Sequence, residues 1–140
     1  MKREYLSRSP QQTQDIAAEH ARGLRGGECI ALHGELGAGK TQFVRGLVAG
    51  LGGQQRSVCS PTFVLLNVYE GGRLTVYHLD AYRVRGAEDF EGIGFAELLE
   101  QGGVVVVEWA QRVASLVPAQ ATRVRIEVLS EHERRITIEP

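Results

Sequence analysis

Residues 34–41 read Gly34-Glu35-Leu36-Gly37-Ala38-Gly39-Lys40-Thr41, an instance of the pattern G-x-x-x-x-G-K-[ST]. The pattern has a physical basis. Its glycines let successive backbone N–H groups turn around a phosphate, and the helix beginning near the lysine adds its partial positive N-terminal end. Lys40 would reach the β- and γ-phosphates, and the Thr41 hydroxyl would bind Mg²⁺. An eight-residue pattern also occurs by chance, so its neighbours decide. Before it, residues 28–33 (ECIALH) form a short apolar run that predicts a strand. After it, Phe43, Val44, Leu47, Val48 and Leu51 share one face of a predicted helix that Gly52-Gly53 ends. Strand, glycine loop and helix together are the setting a phosphate loop requires.

Composition agrees with a local purpose for the glycines. The 140 residues include 17 glycines, about 12% against a usual share near 7%. Ten of them lie between Gly23 and Gly53. No G-X-Y period exists, so collagen is excluded, and 43% hydrophobic with 24% charged residues is ordinary for a globular chain. A single domain over residues 1–140 would bury roughly two thirds of its unfolded surface. The net charge of −1 disfavours a protein that grips tRNA or DNA unaided. No apolar run has signal-peptide or membrane-span length, which predicts a cytoplasmic protein with no membrane partner. Cys29 and Cys59 lack the spacing of a zinc site and read as buried spectator thiols. Of the sixteen basic residues only Lys2 and Lys40 are lysine, so a compact ammonium is kept at the phosphate loop.

Outward from the loop, the pattern continues as α/β. Ser9-Pro10-Gln11-Gln12 reads as a helix start with serine at the N-cap and proline at the first helical position. Ile16, His20 and Leu24 then predict the packing face of a helix over 10–25, stopped by Gly26-Gly27. Phe63–Tyr69 and Arg73–Leu79 predict a hairpin around Glu70-Gly71-Gly72. Residues 87–101 read as an interrupted helix, with Gly92 and Gly94 inside it. Val104–Val107 marks a strand covered on both faces. Arg123–Val128 and Arg134–Ile138 predict a C-terminal hairpin. The expected architecture is a three-layer, P-loop NTPase-like fold with a mixed central sheet. Gly46 and Gly50 weaken the helix that the loop feeds, which predicts its close packing on the sheet or on a partner.

A phosphate loop of this kind needs a carboxylate at the end of a buried strand to hold Mg²⁺, directly or through water. Glu108 ends the valine strand, and Asp80 ends Leu74–Leu79. Ser60-Pro61-Thr62-Phe63 lies where nucleotide-switch loops sit. His78, Tyr82 and Arg83 surround Asp80. His78 suits a packed histidine as well as a catalytic one, and Arg83 a surface ion pair as well as a phosphate contact. Trp109, the sole tryptophan, follows Glu108 and suits the core as well as a reporter of nucleotide state.

In their order and spacing these elements resemble the TsaE (YjeE) family of small P-loop ATPases in bacterial tRNA threonylcarbamoyladenosine (t6A) synthesis. The residues that carry the resemblance are GELGAGKT at 34–41, Arg45-Gly46, Leu51-Gly52, SPTF at 60–63, the run His78-Leu79-Asp80-Ala81-Tyr82-Arg83, and Val107-Glu108-Trp109. The resemblance implies an ATP site formed by Gly34, Glu35, Leu36, Gly37, Ala38, Gly39, Lys40, Thr41 and Gln42. Ser60 and Thr62 would lie in the first switch region and Trp109 beside the second. Thr13 and the turn around His132–Arg135 would approach the nucleotide. It implies Mg²⁺ on Thr41 and Glu108, with Asp80 a further metal-side or catalytic carboxylate beside Lys40 and Glu108. The implied partners are the TsaD and TsaB proteins, with tRNA held through them, and the free protein is expected as a monomer. Gln42 departs from the family, in which many members carry a second threonine there. The competing readings are a small-molecule kinase, a nucleotide-dependent adaptor with little hydrolysis, and a GTPase. The last would normally carry an N-K-x-D motif, but the only asparagine, Asn67, precedes Val68.

Overall fold

A computed structural model describes residues 1–54, 58, 66–82 and 84–140. Its strands are β1 (Arg3–Ser7), β2 (Cys29–Gly34), β3 (Leu66–Tyr69), β4 (Val76–Asp80), β5 (Val104–Glu108), β6 (Thr122–Val128) and β7 (Arg134–Glu139). They form one sheet in the order β1-β7-β6-β2-β5-β4-β3. The central strands β6, β2, β5 and β4 are parallel, while β3, and β7 with β1 beyond it, add antiparallel edges. The helices are α1 (Pro10–Ala21), α2 (Lys40–Gly50), α3 (Ala87–Gly92) and α4 (Phe95–Leu99), with a 3-10 turn at Ala110–Val113. Among the described residues no helix is long and apolar enough to cross a membrane.

Strand β5 explains the layering. All five of its residues are buried, and alternate valines face opposite cores. Val104 and Val106 pack with Phe43, Leu47 and Ile30 under α1 and α2. Val105 and Val107 pack with Phe90, Phe95 and Val113 on the other side. A parallel strand covered on both faces must be apolar throughout, and four consecutive valines meet that need.

Several expectations change. Helix α1 starts as read, with the Ser9 side chain accepting from the Gln12 amide at 3.1 Å. It ends at Ala21 rather than near residue 25, and Gly26 and Gly27 belong to the turn into β2. Its buried face is Thr13, Ala17 and Ala21, with Ile16 only partly buried beside it. The cause lies in α2. A Cβ on Gly46 would meet the Gln14 carbonyl at 2.2 Å, and one on Gly50 the Ala18 carbonyl at 2.6 Å. The small faces of α1 and α2 therefore touch backbone to backbone, so the partner of Gly46 and Gly50 is α1, neither the sheet nor another protein. Strand β1, absent from the sequence reading, pairs along β7 from Arg3↔Ile138 to Ser7↔Arg134.

Candidate functional site

The turn from β2 into α2 builds the site. Gly37 and Gly39 have φ of 81° and 111°, a left-handed backbone that side chains resist. Gly34 serves differently. Its φ is not positive, and a Cβ there would press on the Ile126 carbonyl at 3.0 Å and the Ala38 side chain at 3.2 Å.

Lys40, first residue of α2, is buried. Its Nζ donates to the Gly34 carbonyl at 2.7 Å, lies 3.8 Å from Glu108 Oε1, and sits 4.4 Å from the centre of the Trp109 ring. Burial lowers the Lys40 pKa, and the charges of Glu108 and Asp80 pull it back up. Asp80 and Glu108 end adjacent parallel strands and are register partners. Burial raises the Asp80 pKa. The Tyr82 amide, donating to its Oδ1 at 2.8 Å, opposes the rise, whereas the Glu108 charge adds to it. Trp109 is the one non-glycine with positive φ (58°) among the described residues, and its ring packs 4.9 Å from that of Tyr82.

A cleft of about 510 Å³ opens over the loop, lined by Leu36 to Gln42, Glu108, Thr13 with Ser9 and Pro10, and Glu131, His132 and Arg134. Lys40, Thr41, Gln42, Thr13, Leu36, Gly37, Ala38, Gly39 and Glu108 thus share one cavity. Gly34 and Glu35 instead line a neighbouring hollow with Trp109 and Arg125. Asp80 is buried behind the cleft wall next to Glu108. Ser60, Thr62 and Arg83 lie outside the described residues, as does Cys59. Gln42, the departure from the family pattern, accepts from Gln14 Nε2 at 2.7 Å and so links α2 to α1.

The turn around His132–Arg135 does line the cleft, but two contacts made by residues already singled out were not legible in the sequence. Arg134 Nε donates to the Ala38 carbonyl at 3.0 Å, while its Nη1 donates to the Ser130 carbonyl at 2.9 Å. One side chain of the β6–β7 hairpin thereby grips the phosphate loop, a link across 96 positions with no local signal. The second is made by His78, fully buried, whose Nε2 is hydrogen-bonded to Glu108 Oε2.

Comparison with known proteins gives the family and the fold. The family model described as "Threonylcarbamoyl adenosine biosynthesis protein TsaE" matches residues 7–136. A "tRNA threonylcarbamoyladenosine biosynthesis protein TsaE" of Treponema pallidum (strain Nichols) is 46% identical, the match spanning 95% of this chain and 97% of that one. The protein of the same name from Bacillus subtilis (strain 168) is 37% identical, spanning 92% of this chain and 80% of its own. The crystal structure of YdiB from Bacillus subtilis superposes with a TM-score of 0.81 at 30% identity, covering 99% of this chain and 84% of that one. On a match that runs through the phosphate loop and all but the ends of the sheet, the chain belongs to the TsaE family.

Proposed function

We propose that this protein binds ATP with Mg²⁺ over the glycine loop and hydrolyses it in the service of t6A biosynthesis. The place in t6A biosynthesis rests on the family, which carries that process in its name. The ATP reading rests chiefly on one observation, a buried lysine at the start of a helix, directly after two left-handed glycines and 3.8 Å from a buried carboxylate. A cation is rarely buried without a charged partner. Here one face of Lys40 is balanced by Glu108, and the loop above it supplies amide donors and a helix N-terminus, which suit an anion.

The residues fit the nucleotide and its metal. The backbone of 37–41 would hold the phosphates, with Lys40 as the fixed positive charge. The Thr41 hydroxyl and the carboxylates of Glu108 and Asp80 are oxygen donors of the kind Mg²⁺ prefers. Bound Mg²⁺ would neutralise charge building on the phosphate oxygens during transfer to water. Within the chain, Lys40 would offset the same charge, and Asp80, buried next to Glu108 and off the cleft lining, would act from behind that carboxylate. Arg134 ties the loop to the β6–β7 hairpin through the Ala38 carbonyl.

Slow turnover by the free protein is part of this reading, because P-loop switches often await a partner to complete the site. The resemblance names that partner as the TsaD–TsaB assembly. Steady-state ATP hydrolysis measured with and without TsaD–TsaB tests it. A rate that rises in the complex is expected, and equal rates would remove the coupling.

A further inference from the structure

Strands β4 and β5 place His78, Asp80 and Glu108 on the face that carries Val76, Val104 and Val106, the face covered by α2. His78 lies among these valines with none of its surface exposed. A buried imidazole costs free energy unless both nitrogens find partners, and both do. Nε2 meets Glu108 Oε2, reached diagonally because His78 itself is in register with Val106. Nδ1 lies 3.2 Å from the Tyr69 hydroxyl on β3. An ionised carboxylate only accepts, so Nε2 carries the proton. In the neutral ring Nδ1 is then the acceptor, and the tyrosine hydroxyl donates. The line Tyr69–His78–Glu108 thus crosses three strands and ends on the carboxylate beside Lys40.

We propose that His78 is a positioning residue for Glu108. It engages Oε2, leaving Oε1 toward Lys40, and the Tyr69 hydroxyl satisfies the other ring nitrogen, Nδ1. The arrangement matches a general device, in which an outer partner orients a metal-side ligand and its removal weakens metal affinity about 10- to 100-fold. The inference deepens the ATP–Mg²⁺ reading above and rests on it. Neither His78 nor Tyr69 is among the described residues that line the cleft, and the direct hydrogen bond by which His78 reaches it is the one to Glu108.

The test combines two measurements on the full chain. In protein labelled with ¹⁵N-histidine, His78 should show the neutral tautomer protonated on Nε2, its resonance assigned by loss in His78→Gln. ATP affinity is then measured by calorimetry with Mg²⁺ and with EDTA. His78→Leu should lose about 10-fold or more of the Mg²⁺-dependent gain while affinity in EDTA stays near wild type. His78→Gln, which keeps a donor near the Nε2 position, should recover most of that gain. Tyr69→Phe, a milder change should His78→Leu fold poorly, should show a smaller loss of the same kind. A full Mg²⁺ gain in folded His78→Leu or Tyr69→Phe, or a ring protonated on Nδ1 alone, would overturn the positioning role while leaving the ATP reading intact. No Mg²⁺ gain in the wild type would overturn both.

Discussion

Lys40 Nζ lies 4.4 Å from the centre of the Trp109 ring, so the only cation of the phosphate loop rests on the sole tryptophan of the chain. Such a contact contributes about 0.5–2 kcal/mol, more when desolvated. It couples an optical reporter to the group that would meet the phosphates. ATP binding should draw Nζ off the ring and change Trp109 emission. In Lys40→Met the free protein should already differ from wild type, and ATP should produce no further change. An ATP response that survives in Lys40→Met would show that Trp109 reports something other than the lysine.

Glu108 is enclosed by two buried partners, His78 on Oε2 and Lys40 near Oε1. Glu108→Ala takes the hydrogen-bond partner from His78 Nε2 and the counter-charge from Lys40, which keeps the neutral Gly34 carbonyl as its acceptor. The change should cost about 3 kcal/mol of stability, the low end for a broken buried pair. Glu108→Gln keeps the volume and one acceptor oxygen. It should melt much closer to wild type yet lose most Mg²⁺-dependent hydrolysis. Thermal melts alongside turnover for both variants separate the two roles. Full turnover in Glu108→Gln would make the residue structural.

Gly46 and Gly92 are both helical, and they should respond to alanine in opposite directions. Alanine normally gains up to about 1 kcal/mol over glycine in a helix. At Gly92 no atom lies within 4 Å of an added Cβ, so that gain should appear as a higher Tm. At Gly46 the Cβ would stand 2.2 Å from the Gln14 carbonyl and 2.8 Å from the Ala17 side chain. Separating α1 from α2 should cost about 1–3 kcal/mol, and Tm should fall. A rise at Gly46 would mean that the two helices are not in backbone contact.

His20 should make the fold acid-sensitive. Burial lowers its pKa below 6.5, against an opposing pull from Glu28, and its Nε2 has no hydrogen-bond partner among the described residues. The unfolded chain therefore binds a proton that the folded chain resists. Stability from this source is complete above the unfolded value of 6.5 and is lost as pH falls through it. His33, its pKa also lowered chiefly by burial, acts with the same sign. Melting curves on either side of pH 6.5 should show Tm falling with acid, and His20→Leu should reduce the fall without abolishing it. An unchanged slope in that variant would place the sensitivity elsewhere.

The sequence made the loop, its flanking strand and helix, the valine strand and both hairpins legible, because each is encoded within a few residues of itself. Gly37 and Gly39 announce a left-handed turn wherever they occur in such a loop, and Val104–Val107 announces double coverage. The remainder depends on partners far away in the chain. The glycines of α2 signalled a close approach, but its identity lay some thirty residues earlier, at Gln14 and Ala18. That same contact moved the buried face of α1 from Ile16 to Ala17 and Ala21. Strand β1 has only Ser7 fully buried and exists through its pairing with β7. The hold of Arg134 on Ala38 and the bond from His78 to Glu108 join residues that no local pattern connects.

The central claim is that the cleft over the loop is an ATP–Mg²⁺ site, and calorimetric titration of the free protein with ATP, ADP and GTP tests it most directly. The expected result is one ATP site strengthened by Mg²⁺, little response to GTP, and an affinity loss of roughly 10- to 150-fold in Lys40→Ala from removal of a charged phosphate contact. Preferential GTP binding, or ATP binding unaffected by loss of Lys40, would contradict it.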